Sequence, residues 1–241
     1  MTHYLTRAVL NRRAPEHALR PLLDPSDRDA AFDAHHRLIW TLFPDRDAKR
    51  DFLWRSDDRG RFMILSARRP QDTSLFEPLE SKTFAPVLAA GDRLAFMLRA
   101  NATRDRRSGP QEEVVPGTRR RPRKDRRVDI VMHAMQEQDL ERGSTGANPR
   151  AARRMDVAED AARLWLAGQG ERRGFSVEAL AVDDYRVVKL NRQGSKPATF
   201  GVLDLKGQLT VRDPEALVGA LVSGFGRAKA YGCGLMLVRR A

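Results

Sequence analysis

Residues 213–238 read DPEALVGALVSGFGRAKAYGCGLMLV, a stretch that combines a helix pattern, a glycine-rich loop and an apolar final run. Asp213 and Pro214 form a helix-start signal, and the apolar residues that follow them recur with helical spacing. The loop contains four glycines, at positions 224, 226, 232 and 234. The pattern predicts a helix that returns through a tight turn to a last β-strand.

The glycine-rich loop does not fit either of the common nucleotide-binding motifs. A P-loop places four residues between its glycines and a Ser or Thr after its Lys, whereas one residue separates Gly224 from Gly226 and Ala230 follows Lys229. A dinucleotide fingerprint needs a third glycine where Lys229 stands and a strand before the motif. The stretch is therefore interpreted as a loop that carries two cations, Arg227 and Lys229, with a turn of solvated charges as the simpler alternative.

The rest of the chain repeats one order of elements. Residues 3–11 alternate like a strand, residues 28–44 have helical periodicity, and two strand-like runs joined by DDRG follow. A weak helix and a short strand at residues 82–84 complete the first set. From Gly91 the order of strand, helix, strands, helix and strand begins again, with a Lys-Gly turn expected inside residues 198–211.

This order predicts an α+β fold of two tandem ferredoxin-like (RRM-like) βαββαβ domains. Their expected limits are residues 1–88, which include the helix histidines, and residues 89–241, which include the glycine-rich loop at 224–234.

Composition favours a polyanionic partner. The chain of 241 residues has a formal charge of +12 and a pI near 10.7. A protein this basic favours a polyanion because each phosphate that it neutralises releases condensed counterions. The single Cys233 excludes an intramolecular disulfide and a multi-cysteine zinc site. No leader or membrane-spanning run is visible, so a cytoplasmic location is expected.

Half of the excess charge lies in one insert of the second domain. Residues 104–127 contain ten Lys or Arg against four Asp or Glu, with almost no apolar residues. Such a segment cannot fold alone. It is either a solvated loop or a set of phosphate contacts along an RNA or DNA backbone.

Two adjacent histidines on the first helix point in different directions. At 100° per residue, His35 falls in the apolar stripe and is expected to be structural. His36 projects to the border between core and solvent, beside Trp40 and Asp33, where it can exchange protons near neutral pH. No carboxylate cluster or nucleophile elbow accompanies it. If the chain is an enzyme acting on nucleic acid, the residue types therefore favour chemistry without a metal or cofactor, a route that RNA offers because its own 2′-OH can be the nucleophile.

Six segments together resemble the CasE-type CRISPR-associated endoribonucleases, the repeat-processing subunits of type I-E Cascade. These segments are YLTRAVLN, HHRLIWTLFP, FLWR, GDRLAFMLRAN, LKGQLTVRDP and GFGRAKAYGCGLML, in that order. The resemblance covers nearly the whole chain apart from the arginine-rich insert and part of residues 140–155. It implies two ferredoxin-like domains that bind the stem-loop repeat of precursor CRISPR RNA.

The resemblance also implies an activity and its site. Such enzymes cleave at the 3′ base of the stem without a metal, leave a 5′-OH and a cyclic phosphate, and commonly retain the hairpin within the effector complex with other Cascade subunits. The family's helix histidine falls on His36. The candidate catalytic residues are His36, Lys229 and Asp33, and the candidate RNA contacts are Arg37, Arg55, Arg99, Arg119, Arg120, Arg121, Arg123, Lys124, Gly224, Gly226 and Arg227.

One position departs from the family pattern. Members often carry a tyrosine one helical turn before the histidine, where this chain has Asp33. An ionised carboxylate cannot donate a hydrogen bond as a phenol does, although it can orient His36 or pair with its imidazolium. Lys229 or Arg37 is then needed as a helper.

The alternative function is a non-catalytic subunit that binds structured RNA within a ribonucleoprotein complex. A basic DNA-binding or ribosome-associated protein is a third hypothesis.

Overall fold

The computed structural model describes residues 2–11, 23, 25–45, 49–57, 59–106, 126–137, 154–190 and 198–241. The first sheet is formed by strands β1 (His3–Val9), β2 (Phe52–Ser56), β3 (Arg61–Ser66) and β4 (Glu80–Phe84) in the order β2-β3-β1-β4. Helix α1 (Arg28–Trp40) connects β1 to β2. All neighbouring strands are antiparallel, which is the ferredoxin-like arrangement.

The remaining elements form a second domain of the same topology. Its elements are β5 (Arg93–Ala100), β6 (Thr103–Arg106), β7 (Arg126–Asp129), α2 (Ile130–Glu137), α3 (Arg154–Arg173), β8 (Phe175–Leu190), β9 (Ala198–Val211), α4 (Pro214–Ser223) and β10 (Met236–Arg240). The sheet order is β10-β5-β9-β8, with α3 and α4 as the two crossover helices. The predicted α+β fold of two ferredoxin-like units is confirmed.

The helix starts follow local chemistry. The Asp213 carboxylate accepts a hydrogen bond from the Ala216 N–H at 3.0 Å, and Pro214 occupies the first turn of α4. Both features satisfy or remove amide donors that a helix start leaves unpaired. The predicted Asp-Pro cap is therefore confirmed.

Two local predictions are wrong. Residues 67–79 contain no helix, so the first domain crosses from β3 to β4 through turns. Residues 198–211 form one continuous strand, because Lys206 and Gly207 pair with β5 on one side and β8 on the other. Gly207 pairs with Leu180, next to the bulge between Val177 and Ala179 of β8, and an added Cβ would approach the Ala179 carbonyl oxygen to 1.9 Å. Glycine serves there for close strand approach and not for a turn.

The arginine-rich insert begins and ends as a two-stranded ribbon. Strands β6 and β7 pair antiparallel, from Thr103 opposite Asp129 to Arg106 opposite Arg126. The Asp129 carboxylate then accepts hydrogen bonds from the N–H groups of Val131 and Met132 at the start of α2, a helix that the sequence reading missed. Residues 107–125 lie outside the described part of the chain.

The glycine-rich loop joins the two domains through Trp54. The Trp54 indole N–H donates to the Ala230 carbonyl oxygen at 3.1 Å, and an added Cβ on Gly232 would lie 2.8 Å from the Trp54 ring. Gly232 also has a φ of +72°, which favours glycine. Beside it, Leu53 and Leu65 of the first sheet pack against Leu235 just before β10. None of the helices in the described ranges is long and apolar enough to cross a membrane.

Replacing Gly232 with alanine tests this junction. Gly232→Ala is expected to lower the free energy of unfolding by about 2–4 kcal/mol, since it adds a clash with Trp54 to an unfavourable φ. Gly91→Ala is the matched control, because Gly91 has a φ of +90° but open space around its Cβ position. Its expected loss is about 1–2 kcal/mol. Equal losses in urea denaturation would show that the Trp54 contact does not stabilise the fold.

Candidate functional site

Helix α1 directs its two histidines into different environments. His35 is 5% exposed and packs edge-on against Phe62, with ring centroids 4.9 Å apart. This burial confirms the prediction that His35 is a structural residue of the core. His36 is half-buried and opens onto a surface pocket of about 570 Å³. His36 is therefore the histidine of this helix that a large ligand can reach.

The pocket beside His36, here called the His36 pocket, combines an apolar wall with a charged rim. Its lining residues are His36, Arg37, Trp40, Thr41, Phe43 and Pro44. The Arg37 side chain is 73% exposed and forms an ion pair with Asp33 across one helical turn, at 3.2 Å. The Asp33 carboxylate therefore faces the Arg37 guanidinium on the exposed side of α1. The apolar wall and the exposed guanidinium suit a ligand that offers both a base and a phosphate.

Tyr231 is the aromatic partner of His36 that sequence reasoning missed. It lies in the 3₁₀ turn Lys229–Tyr231 of the glycine-rich loop, with its ring centroid 5.5 Å from that of His36. On its other side it stacks with Phe200 of β9 at 5.8 Å. The chain has three tyrosines, and one of them stands within the loop that carries Lys229. Since position 33 is not a tyrosine, the tyrosine of the glycine-rich loop was the available sequence signal for an aromatic partner of His36.

The loop glycines lie close to residues of other elements of the fold. An added Cβ would lie 2.7 Å from a Leu53 methyl at Gly224 and 2.6 Å from the Asn101 carbonyl oxygen at Gly226. Both glycines have φ near +70°, at 75° and 69°. Their missing side chains are thus explained by contacts within the fold, and their role as RNA contacts stays a prediction. The Arg227 side chain, in contrast, is exposed while its N–H donates to Asn101 at 3.0 Å.

Lys229 lies among other cations. Its ammonium donates to the Ser223 carbonyl oxygen at 2.6 Å, at the end of α4. Burial lowers the pKa of Lys229, and the neighbouring charges of Arg173 and Arg50 lower it further. Arg173 donates to the Gly224 carbonyl oxygen and lies over the Phe225 ring. Lys229 of the loop therefore lies near two other cations, Arg173 and Arg50. Such a cluster of positive charges favours an anionic ligand.

Arg55 and Arg99 have a partner inside the protein. The Arg99 guanidinium donates to both oxygens of Asp204 at 3.0–3.2 Å, and Arg55 reaches the same carboxylate at 3.3 Å. The Arg99 side chain is 8% exposed. These contacts place both arginines in the interior between the domains, and their role as RNA contacts stays a prediction.

Other predicted contacts lie beyond the described residues. These are Arg119, Arg120, Arg121, Arg123 and Lys124 of the insert. Arg127, at the base of the ribbon, is described and pairs with Asp105 at 2.7 Å. Within the described ranges, no group of three or more His, Cys, Asp or Glu side chains is arranged to hold a metal ion.

Comparison with known proteins gives a consistent set of relatives. Residues 3–240 match the family described as CRISPR associated protein. The CRISPR system Cascade subunit CasE of Escherichia coli K12 is 27% identical over 212 residues, which are 83% of this chain and 88% of that protein. This agrees with the resemblance predicted from the motifs.

Solved structures match along the whole length. Thermus thermophilus Cse3, bound to an RNA representing a pre-cleavage complex, has a TM-score of 0.64 and 20% identity, covering 99% of this chain and 100% of that one. Cas6e from E. coli K-12 has a TM-score of 0.57 and 21% identity, with 99% and 100% coverage. At these identities the structural matches support the fold.

The lowered pKa of Lys229 predicts that removal of its charge stabilises the folded protein. Lys229→Met is expected to raise the Tm at pH 7, because it removes a partly buried charge that Arg173 and Arg50 repel. The unfolded chain binds more protons than the folded one between the lowered pKa of Lys229 and its ordinary pKa. Wild-type stability therefore rises with pH in that window, and the difference between the two proteins should shrink.

The measurement is thermal unfolding of both proteins at pH 7 and at pH 10. Lys206→Met is the matched control, since Lys206 is exposed and pairs with Asp183 at 2.6 Å. It should lower the Tm slightly or leave it unchanged. A lower Tm for Lys229→Met at pH 7 would contradict the interpretation of Lys229 as a repelled cation.

Proposed function

Because the chain belongs to the family of CRISPR associated proteins, we propose that it binds and cleaves CRISPR RNA. Its substrate is the stem-loop repeat of the precursor RNA, and cleavage occurs at the 3′ base of the stem. The protein then keeps the hairpin as a subunit of type I-E Cascade. The similarity to E. coli CasE, a Cascade subunit, supports this assignment.

The observation that carries the proposal is the contact between His36 and Tyr231. It joins a half-buried histidine of the first domain to the glycine-rich loop of the second, at a pocket with Arg37 on its rim. A histidine in this setting can exchange a proton with a bound ligand near neutral pH. The net charge of +12 favours a polyanion as that ligand.

The reaction needs no external nucleophile. The 2′-oxygen attacks the adjacent phosphorus, its proton leaves, and the bond from phosphorus to the 5′-oxygen breaks as that oxygen gains a proton. The products are a 2′,3′-cyclic phosphate and a 5′-OH. His36 either takes the 2′-OH proton or delivers one to the 5′-oxygen, a role that general acid–base catalysis assigns to a group of near-neutral pKa. A metal ion is not required for these steps.

Cations of the loop stabilise the phosphate as its charge develops. Lys229 does so, and the exposed Arg227 and Arg37 hold the neighbouring backbone. The cations of the arginine-rich insert contact phosphates of the stem. Asp33 holds Arg37 through their ion pair and does not replace a phenol.

The central test is cleavage of a labelled repeat hairpin in EDTA. Wild-type protein should cleave it, and a 2′-deoxy substitution at the scissile nucleotide should abolish the reaction. His36→Ala is expected to lower the cleavage rate about 10²–10⁴-fold, because it removes the acid–base group. Hairpin affinity should stay within severalfold.

His35→Ala is the matched control on the same helix. It removes a buried ring that packs on Phe62, so it should lower the Tm while folded protein retains its cleavage rate. Tight, salt-sensitive binding of an RNA that the wild type leaves intact would favour the alternative, a non-catalytic RNA-binding subunit. Equal rates for wild type and His36→Ala would overturn the assignment of His36.

Tyr231 is proposed to position the His36 ring. Tyr231→Leu removes an aromatic ring held between His36 and Phe200, so the single-turnover rate should fall about tenfold or more with little change in RNA affinity. Tyr231→Phe keeps the ring and should restore the rate. If Tyr231→Phe is as slow as Tyr231→Leu and its pH–rate profile loses the alkaline limb, the hydroxyl and not the ring is the functional group.

A further inference from the structure

A second cavity lies at the opposite side of α1 from the His36 pocket. It has a volume of about 250 Å³ and is lined by Pro25, Ser26, Arg28, Ala31, Phe32, His35, Trp54, Ser56, Arg99 and Arg186. Ser26 and Arg28 are exposed at its mouth, whereas His35, Ser56 and Arg99 are buried. The cavity thus has a solvent entrance beside Arg28 and an interior wall that includes Arg99 and Arg186. We call it the arginine cavity.

Buried positive charge exceeds buried negative charge around this cavity. The lining side chains of Arg99 and Arg186 are 8% and 17% exposed. Arg55 projects from the opposite face of β2 and is not a lining residue, but it is 14% exposed and shares Asp204 with Arg99. The carboxylate with comparable burial is Asp204, at 13%, and it is shared by Arg55 and Arg99. Buried charges normally occur in matched pairs because an unmatched one is costly to desolvate.

The other nearby acids do not neutralise this excess. Asp184 lies 4.0 Å from Arg186 and is 46% exposed, and Asp183 pairs with Lys206. At the start of α1, the carboxylate of Asp27 accepts a hydrogen bond from the Asp29 N–H, and that of Asp29 accepts one from the Lys189 N–H. Asp183, Asp27 and Asp29 thus have other partners, whereas Asp184 forms a long, half-exposed ion pair that offsets part of the charge of Arg186.

Two buried guanidinium nitrogen atoms, one of them on the cavity wall, have unused hydrogen-bond donors among the described residues. Among the described residues, neither the Nε of Arg186 nor the Nη1 of Arg55 has a hydrogen-bond partner. The Arg186 guanidinium is held 5.2 Å over the Phe32 ring, so its position on the cavity wall is fixed. Unsatisfied buried donors of this kind call for an acceptor.

Cys233 does not supply the missing negative charge. It is fully buried close to Arg99, Arg186 and Arg55, and burial raises the pKa of its thiol to about 12, although these arginines act in the opposite sense. The side chain is therefore a neutral thiol at physiological pH. An anion from outside the chain is needed to balance the arginines.

We propose that the arginine cavity binds a phosphate group of the RNA strand that runs past α1 from the cleavage site. Guanidinium groups favour phosphate over smaller anions because they offer several donors in a planar fork. Arg28 at the mouth lies about 12 Å along the helix axis from His36, which a short single-stranded segment spans. This inference rests on the proposed function for the identity of the RNA, but not for the presence of a phosphate site.

The first arm of the test uses no RNA. The Tm of the full-length protein is measured in sodium phosphate and in sodium chloride at equal ionic strength. Phosphate should raise the wild-type Tm, since a ligand of the folded state stabilises it. Arg186→Gln should lose at least half of that rise, and Arg186→Lys should keep more of it. Arg163→Gln is the control, because Arg163 is exposed on α3 and pairs with Glu159.

The second arm distinguishes an RNA phosphate from a free one. Wild type and Arg186→Gln are titrated with a repeat hairpin with or without its single-stranded flank at the cleavage side. With the flank, Arg186→Gln should bind about 5–20-fold more weakly and its salt slope should be shallower by about 0.7, the value for one single-stranded phosphate contact. Without the flank, the two proteins should bind equally.

The outcomes separate the claims. Equal phosphate-induced Tm shifts in wild type and Arg186→Gln, with both proteins folded in chloride, would overturn the phosphate site. A shift that depends on Arg186, with equal binding of flanked RNA, would overturn the RNA strand as its source and leave a free phosphate compound. A wild-type protein that fails to cleave the hairpin contradicts the proposed function and leaves the first arm valid.

Discussion

The functional site depends on the contact between Trp54 and the glycine-rich loop. The indole N–H holds the Ala230 carbonyl, and Gly232 lies so close to the ring that a side chain has no room there. This contact attaches the last crossover of the second domain to the first sheet. It also sets the 3₁₀ turn beside α1, where Tyr231 meets His36. His36 from one domain and the cations of the other are thereby brought together, with Trp54 as one of several contacts between the domains.

Surplus positive charge is the second constraint on this molecule. Lys229, Arg173 and Arg50 lie near one another beside the loop, and Arg186 lies close to the pair of arginines that shares Asp204. Each group is less favourable in the free protein than it would be next to an anion. Proteins tolerate such local instability where binding needs it. Under the proposed function, the phosphate groups of an RNA would supply the opposite charge at both places, and relief of this repulsion would contribute to affinity.

Much of the fold was predictable because local patterns and tertiary contacts agree. The apolar stripe of α1, the hairpin of β2 and β3 and the capped start of α4 follow from residue spacing and side-chain chemistry. The errors occur where tertiary contacts override local signals. Lys206 and Gly207 have turn composition, yet two neighbouring strands pair with them and keep the backbone extended. The role of Arg99 as an RNA contact stays a prediction, and no local pattern indicates that Asp204, 105 positions away in the chain, engages it in the interior.

The sequence by itself determined the repeated order of elements, the excess of cations and the direction of the two histidines, since these depend on spacing and composition along a single element. Only the tertiary structure decided that Tyr231 stands beside His36, that the loop glycines serve contacts within the protein, and that two arginines share one buried carboxylate. Each of these facts joins residues that are far apart in the chain. No local pattern encodes such a pairing, because it results from how the two domains pack across Trp54 and the loop.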